Sequence, residues 1–331
     1  MARKITINDV AAVAGVSRGA VTRALNDKAD ISQETKKRVL EVSARLGYRP
    51  SRFARSFAAR TKPLAIGYVV ASFRNPYYTD LAADMLQECK RREWQVVITA
   101  TEDMEEQEAL ELLADQVDVI VGHSALEPAQ LKLAARGLPV VLLERSSQTP
   151  GVHSLELDWR SGVRTALEAL YQRGASHIGM IDSGYSLRTH SHYMPSERRG
   201  YFEEFVRPIS RANVVWGEES FAGGADALRR LLVEHPGTDA VLAFNDVMAI
   251  GAVQGAHGIG MDVPGRLKIL GVDGLSLGEA ISPKLSSLAI DREAIARLAL
   301  DIVEELSQQQ FRELPAIRHR VDPKLVWRES A

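Results

Sequence analysis

Thr6-Ile7-Asn8-Asp9-Val10-Ala11-Ala12-Val13-Ala14-Gly15-Val16-Ser17-Arg18-Gly19-Ala20-Val21-Thr22-Arg23-Ala24-Leu25-Asn26 reads as two short helices broken at one glycine. Thr6 is placed to cap the first helix, with Asp9 three positions on, and Ile7, Val10, Ala11 and Ala14 recur at helical spacing to form one apolar stripe. Gly15 permits the left-handed residue that ends a helix, and Ser17 offers a new N-cap two residues later, so the chain turns sharply and restarts. At 100° per residue the second helix sorts Ala20, Val21, Ala24 and Leu25 onto one side and Arg18, Gly19, Thr22 and Arg23 onto the other. A small apolar side for packing, opposite guanidinium, hydroxyl and bare backbone, meets the needs of a recognition helix in the major groove. A solvated helical hairpin could also carry two arginines, and the surrounding charge decides between the two readings.

A third helix is expected from Ser32 to Gly47, with Val39, Val42 and Leu46 on its packing side and Lys36, Lys37 and Arg38 exposed. Residues 1–62 hold 14 Lys and Arg against 5 Asp and Glu, a net of +9, while the rest of the chain holds 27 against 38, a net of −11. The near-neutral total of −2 therefore hides a polarised molecule whose small part is cationic. Such a head suits phosphate binding that weakens steeply with salt as counterions are released.

The run Thr6 to Asn26, followed by Gly47-Tyr48-Arg49-Pro50, resembles the DNA-binding head of the LacI/GalR family of bacterial transcription regulators, and the likeness extends to the end of the chain. In that family the two positions after the N-cap serine and the one four beyond that serine's successor touch base edges, which implies Arg18, Gly19 and Thr22 here. Members usually carry a base-reading side chain where this chain has Gly19, so more of the direct readout is expected of Arg18. An arginine bidentate to guanine N7 and O6 is worth roughly 1 to 3 kcal/mol of discrimination. The resemblance adds Thr6, Ser17, Arg23, Asn26, Tyr48, Ser51, Ala54 and Phe57 to the DNA-binding set.

Residues 49–62 join head to body. A helix is feasible from about Arg52 to Arg60, after Pro50 and a capping Ser51, but at that length it is marginal in water unless a partner or DNA holds it. In the resembled family this is the hinge helix, which pairs with its twin and pushes an apolar side chain into the minor groove. This chain has Ser51 where asparagine is common and Phe57 where leucine is the usual wedge; phenylalanine wedges elsewhere unstack flexible base steps. Docking of Phe53 and Phe57 onto the body is the plainer alternative.

From Pro63 onward apolar runs alternate with helical stretches. Leu64–Val70, Val96–Ala100, Val117–Val121 and Pro139–Leu143 read as buried strands, with helices near 77–92, 103–115 and 127–136. A second series has His177–Ile181, Ala212–Val215, Ala240–Ala243 and Lys268–Gly271. Successive βα units imply parallel sheets covered on both faces, and two series imply two lobes. The expected fold is an all-α helix-turn-helix head (1–48), a hinge or linker (49–62), and an α/β body of two parallel-sheet lobes (63–331) built like the periplasmic binding proteins. The resemblance implies lobe crossings near 157–160, 288–292 and 313–318, with a last helix at about 291–309 belonging to the first lobe.

Ligands of open α/β sheets bind at the carboxyl ends of the strands. Those ends supply Phe73 and Tyr78, in a loop resembling the family's Asn-Pro-aromatic-aromatic segment, then Glu144, Asn245 and Asp273. Carboxylates, an amide and aromatic faces suit a hydroxyl-rich small molecule, although Asn245 or Asp246 could equally cap a helix and Asp273 could equally sit in a turn. Members usually place an arginine three residues before the Gly-aromatic pair, here Gly200-Tyr201, and this chain has Glu197; Arg198 and Arg199 would point elsewhere, and Arg188 could supply the charge.

The single Cys89 excludes a disulfide framework and a thiolate zinc site, and Thr189-His190-Ser191-His192 reads as a lid loop rather than a metal site. Gly258-Ile259-Gly260 reads as a turn, and Trp94, Trp159, Trp216 and Trp327 as core or interface residues. No motif places a catalytic triad or paired catalytic carboxylates, so no reaction and no cofactor are expected. The start has basic residues with no apolar stretch after them, and nowhere do 18 apolar residues run together, so a cytoplasmic protein without a membrane segment is expected. The sequence thus reads as a homodimeric repressor of pseudo-palindromic double-stranded operator DNA, its affinity set by a small-molecule effector, a carbohydrate by chemistry. A solute-binding protein serving a transporter is the alternative, and a sugar-modifying enzyme with a basic appendage is a second one.

Overall fold

A computed structural model of the chain describes residues 7–25, 31–46, 63–102, 104–184, 192–209 and 211–331. The first three helices are Ile7–Ala14 (α1), Arg18–Leu25 (α2) and Gln33–Leu46 (α3). α1 stops as its sequence dictates: Gly15 takes φ +67°, its N–H donates to Ala12, and the Val16 N–H donates to Ala11 at 3.1 Å, a closure that only a left-handed residue allows. Ser17 then accepts from the Ala20 N–H at 3.2 Å, and Ser32 caps α3 by accepting from the Thr35 N–H at 3.2 Å. Val10, Ala11, Ala14, Val21, Ala24, Val39 and Val42 are buried together, with Ile7, Val16 and Leu46 packed against them. Ala20 is half-buried, whereas the side chain of Leu25 lies outside the described residues.

The body holds two six-stranded sheets. The first lobe runs through Ala65–Val70 (β1), Pro76–Arg91 (α4), Gln95–Ala100 (β2), Glu106–Ala114 (α5), Val119–Gly122 (β3), Pro128–Ala134 (α6), Val140–Leu143 (β4) and Val152–Leu157 (β5). The second runs through Trp159–Gln172 (α7), Ile178–Ser183 (β6), Glu197–Val206 (α8), Asn213–Gly217 (β7), Phe221–Glu234 (α9), Ala240–Ala243 (β8), Asp246–Gly258 (α10), Lys268–Asp273 (β9), a 3-10 turn at Ser276–Glu279, and Ser286–Ala289 (β10). Arg292–Gln308 (α11) returns to pack on α4, Arg318–Val321 (β11) closes the first sheet, and Lys324–Val326 (β12) closes the second. The orders are β11-β5-β4-β3-β1-β2 and β12-β10-β9-β8-β6-β7, parallel throughout except for the antiparallel β10–β12 pair.

The expected alternation is present, and two features differ from it. β5, β10, β11 and β12 were not legible as strands: Val152–Leu157 carries His153, Ser154 and Glu156, Ser286–Ala289 opens on two serines, Lys324–Val326 is three residues long, and Arg318–Val321 is an edge strand with three exposed polar residues. The third crossing falls between Val321 and Lys324, later than residues 313–318, because Arg318–Val321 first pairs with Ser154–Leu157. The turn at Gly258–Gly260 ends α10 as expected, with Gly260 at φ +69°.

Each sheet reverses its winding at one place, between β1 and β3 in the first and between β6 and β8 in the second. At such switch points the loops leaving neighbouring strands diverge and open a crevice. The residues after β1, β3, β6 and β8 are therefore the ones the topology offers to a ligand. Among the described residues no helix is long and apolar enough to cross a membrane.

Candidate functional site

On the head, Arg18 and Gly19 are exposed and Thr22 and Arg23 half-exposed, all on the side of α2 turned away from the buried Val21 and Ala24. The Thr22 hydroxyl donates to the Arg18 carbonyl at 3.1 Å, and the Arg18 residue is exposed. A Cβ on Gly19 would stand 3.3 Å from a guanidinium nitrogen of Arg23, so the missing side chain leaves Arg23 room over the start of the helix. Ser17 serves as the N-cap of α2. Thr6, Asn26, Tyr48, Ser51, Ala54 and Phe57 lie outside the described residues, as does the whole expected hinge at 49–62.

In the body, the first lobe contributes Tyr77, Tyr78, His123 and Glu144. The Tyr77 hydroxyl donates to Glu144 Oε1, and His123 Nε2 lies 3.1 Å from the same oxygen, so Nε2 carries a proton. Tyr78 sits edge-on between Tyr77 and His123, with ring centroids 5.3 and 4.9 Å away. Burial by itself would raise the Glu144 carboxyl, but His123, the Tyr77 hydroxyl and Arg198 together outweigh it and hold that carboxyl below its usual range. Glu144 is thus a fixed negative charge.

The second lobe contributes Arg198, Glu219, Asn245 and Asp273. Asn245 has the plain role of N-cap of α10, accepting from the Met248 N–H at 2.9 Å, and its Nδ2 also donates to Glu219 at 3.3 Å. Glu219 accepts from the Ser183 hydroxyl at 2.5 Å. Asp273 is buried at the end of β9 with φ +113°, a conformation a non-glycine residue rarely adopts, and its Oδ2 has no hydrogen-bond partner. Burial first, then the Asp246 carboxyl, push Asp273 well above the usual range, and Arg198 opposes them. Tyr78 responds to both lobes: burial raises its phenol, Glu144, Glu219 and Asp273 add to that, and Arg198 works the other way. Charges from two sheets therefore converge on one phenol.

The structure separates residues 197 and 198 in a way that the sequence reading did not. Glu197 is exposed and accepts from the Tyr201 hydroxyl at 2.7 Å on the outer side of α8. Arg198, one 100° step on, lies with its guanidinium carbon 3.7 Å from the Phe244 ring centroid and 4.3 Å from that of Trp159, while it donates to the Phe244 carbonyl. The guanidinium that Glu197 appeared to remove is therefore present, supplied by its neighbour. Arg188 lies outside the described residues. Phe73 stands at the carboxyl end of β1 but is 47% exposed and outside the buried group. Trp216, expected in a core or interface, is 39% exposed at the end of β7 and stacks on Tyr193 at 5.9 Å. His123 was missed although it directly follows Gly122 at a strand end; the switch-point position is the signal that marks it.

Comparisons with known proteins bear on the family and the fold. Residues 6–51 match the model described as bacterial regulatory proteins, lacI family, and residues 167–331 match a periplasmic binding protein-like domain. The ribose operon repressor of Halalkalibacterium halodurans is 30% identical over 332 residues, covering 98% of this chain and 96% of that protein. The chain belongs to the LacI family of bacterial regulatory proteins. A LacI family transcriptional regulator from Arthrobacter sp. FB24, solved in complex with lactose, is 26% identical with a TM-score of 0.73, covering 81% of this chain and 99% of that one. The lac repressor dimer bound to operator shares the fold at a TM-score of 0.71 and 24% identity, covering 99% of both chains. As a LacI-family member this chain is a DNA-binding transcription regulator and not an enzyme. The transporter-serving reading is not favoured, since a solute-binding protein has no use for a LacI-family head.

Proposed function

We propose that the chain is a cytoplasmic repressor that binds a pseudo-palindromic operator as a homodimer and changes its affinity for that operator when a carbohydrate enters the cleft between its lobes. The head (1–48) reads bases through Arg18, Gly19 and Thr22, with Ser17 and Arg23 placing the helix against phosphates. Thr6, Asn26, Tyr48 and, on the hinge at 49–62, Ser51, Ala54 and Phe57 complete the DNA contact set. The body (63–331) dimerises and holds the effector. The edge strand β2, which leaves Val96 and Ile98 half-covered beside the exposed Leu86, supports a subunit interface on that side.

The observation that carries the effector reading is the convergence of Glu144, Arg198 and Asp273, from both lobes, on Tyr78, with Asn245 joined to the same group through Glu219. Hydroxyl groups of a sugar can donate to the carboxylates and accept from the guanidinium and amide, and an aromatic ring can face its C–H surface. The lactose bound by the Arthrobacter regulator supports the same chemistry. Closure of the lobes on such a ligand would alter the spacing of the two heads and bias hinge pairing, coupling the sites through differential affinity for two conformations.

The test is a thermal-shift screen of the full chain against a metabolite library, repeated with operator DNA selected from random duplexes. A sugar that raises the melting temperature and shifts operator affinity supports the reading. Binding of operator with no response to any sugar overturns the effector assignment, and product formation from a bound sugar overturns the regulator assignment.

A further inference from the structure

A buried clamp lies beneath the cleft. Asp246, the first residue of α10, is 0% exposed, and both of its oxygens are engaged. Oδ1 accepts from the Ser287 hydroxyl of β10 at 2.7 Å, and Oδ2 accepts from the Leu275 N–H at 2.7 Å. The Ser287 oxygen in turn accepts from the Gly274 N–H at 3.0 Å. Gly271 makes the approach possible, because a Cβ there would lie 2.1 Å from Asp246 Oδ1. The clamp thus holds the two residues that directly follow Asp273. On the other side, the Asp273 carbonyl accepts from the Ile290 N–H at 3.2 Å, at the second lobe crossing. Asp273 is kept in its φ +113° conformation by these contacts, with an unpartnered Oδ2 left for something else to meet.

We propose that Asp246 is the positioning residue of the effector cleft: with Ser287 it locks the turn after β9, so that the unpartnered oxygen of Asp273 is presented to a hydroxyl of the bound sugar. This rests on the carbohydrate reading above. The clamp also sets a proton. The groups acting on Asp273 are Asp246 from α10, Glu144 after β4 and Glu219 before α9, all negative, and Arg198 from α8; Arg328, after β12, acts on Asp246. Burial and these carboxylates hold the Asp273 carboxyl well above the usual carboxylate range. A sugar hydroxyl donates to a carboxylate, so binding sends that proton to solvent, and affinity rises with pH.

Asp246→Asn separates geometry from charge. The asparagine oxygen still accepts from Leu275, and its amide donates to Ser287, so the turn is kept while the charge is lost. Isothermal titration of the full-length wild type and variants with lactose, cellobiose and D-ribose between about pH 5 and pH 8 is the measurement. The wild type should bind one of them more tightly as pH rises, and Asp246→Asn should move that rise to lower pH. Ser287→Ala, which removes the hydroxyl that ties the Gly274 N–H to Asp246 Oδ1, should weaken binding about tenfold at every pH, with its melting transition retained. Superimposable pH profiles for wild type and Asp246→Asn, or undiminished binding by Ser287→Ala, overturn the clamp alone. Failure of the wild type to bind any of the three sugars overturns the carbohydrate reading, and the clamp's role in it.

Discussion

Replacing Arg18 with alanine tests whether α2 reads sequence. The side chain is exposed, and the local hydrogen bond runs from Thr22 to the Arg18 carbonyl, so the substitution removes a guanidinium without removing anything the helix relies on. A surface change of this kind costs the fold within about 0.5 kcal/mol. On DNA the loss should be one bidentate contact to guanine in each half-site, about 1 to 3 kcal/mol apiece, hence about 2 to 6 kcal/mol for a dimer on a full operator. Binding to unrelated duplex depends on phosphate charge; losing one cation per head should lower the slope of log affinity against log salt by about 1 per half-site at most. The assay is fluorescence anisotropy on an operator selected from random duplexes and on a scrambled duplex, each at several salt concentrations. The reasoning is refuted if Arg18→Ala keeps the wild-type ratio of operator to scrambled affinity, since a residue that only touches phosphate weakens both alike.

Deleting residues 1–62 should abolish tight operator binding at moderate salt while leaving the melting of the body intact; retention of binding would contradict a head that carries the DNA affinity. Val39→Ala removes buried methyl groups from the small head core and should destabilise that module by about 2 kcal/mol, seen as lost DNA binding without a change in the body's main transition. His123→Ala removes the imidazole that bonds Glu144 and helps offset its burial, so the carboxyl should rise. In the wild type the depressed Glu144 carboxyl adds stability above its unfolded titration near about pH 4, lost as pH falls through its folded value; acid melts of the variant should lack that component. Asp246 is displaced the other way, its carboxyl raised to about 6 chiefly by burial. Its contribution is present below about pH 4 and lost as pH rises through about 6, so wild-type melts should lose stability over that range and Asp246→Asn should lose less, since burial still holds Asp273 high.

Short-range signals in this chain carried well. Gly15 and Ser17 are two residues apart, and the closure of α1 and capping of α2 need nothing distant, so the head's helices could be placed from the chain alone. The buried strands Ala65–Val70 and Ala240–Ala243 were legible because every residue in them is apolar or glycine and buried on both faces. β5 was not, because His153 and Ser154 are buried there by neighbours far along the chain: His153 Nδ1 accepts from the Ile317 N–H at 3.1 Å. The cleft shows the same division. Glu144, Asn245 and Asp273 follow from being at strand ends, whereas the choice between Glu197 and Arg198 rests on one 100° step of a helix whose orientation is set by packing against α7.

The amino-acid sequence by itself determined that a cationic helical head precedes two βα lobes, because helix periodicity, capping and charge are written within a few turns of chain. Only the tertiary structure decided which arginine packs between Phe244 and Trp159, which oxygen of Asp273 stays without a hydrogen-bond partner, and that Asp246 is bonded to the turn after Asp273. Those outcomes depend on residues from separate strands meeting at a distance of one hydrogen bond, and the separation is fixed by sheet order rather than by any local pattern.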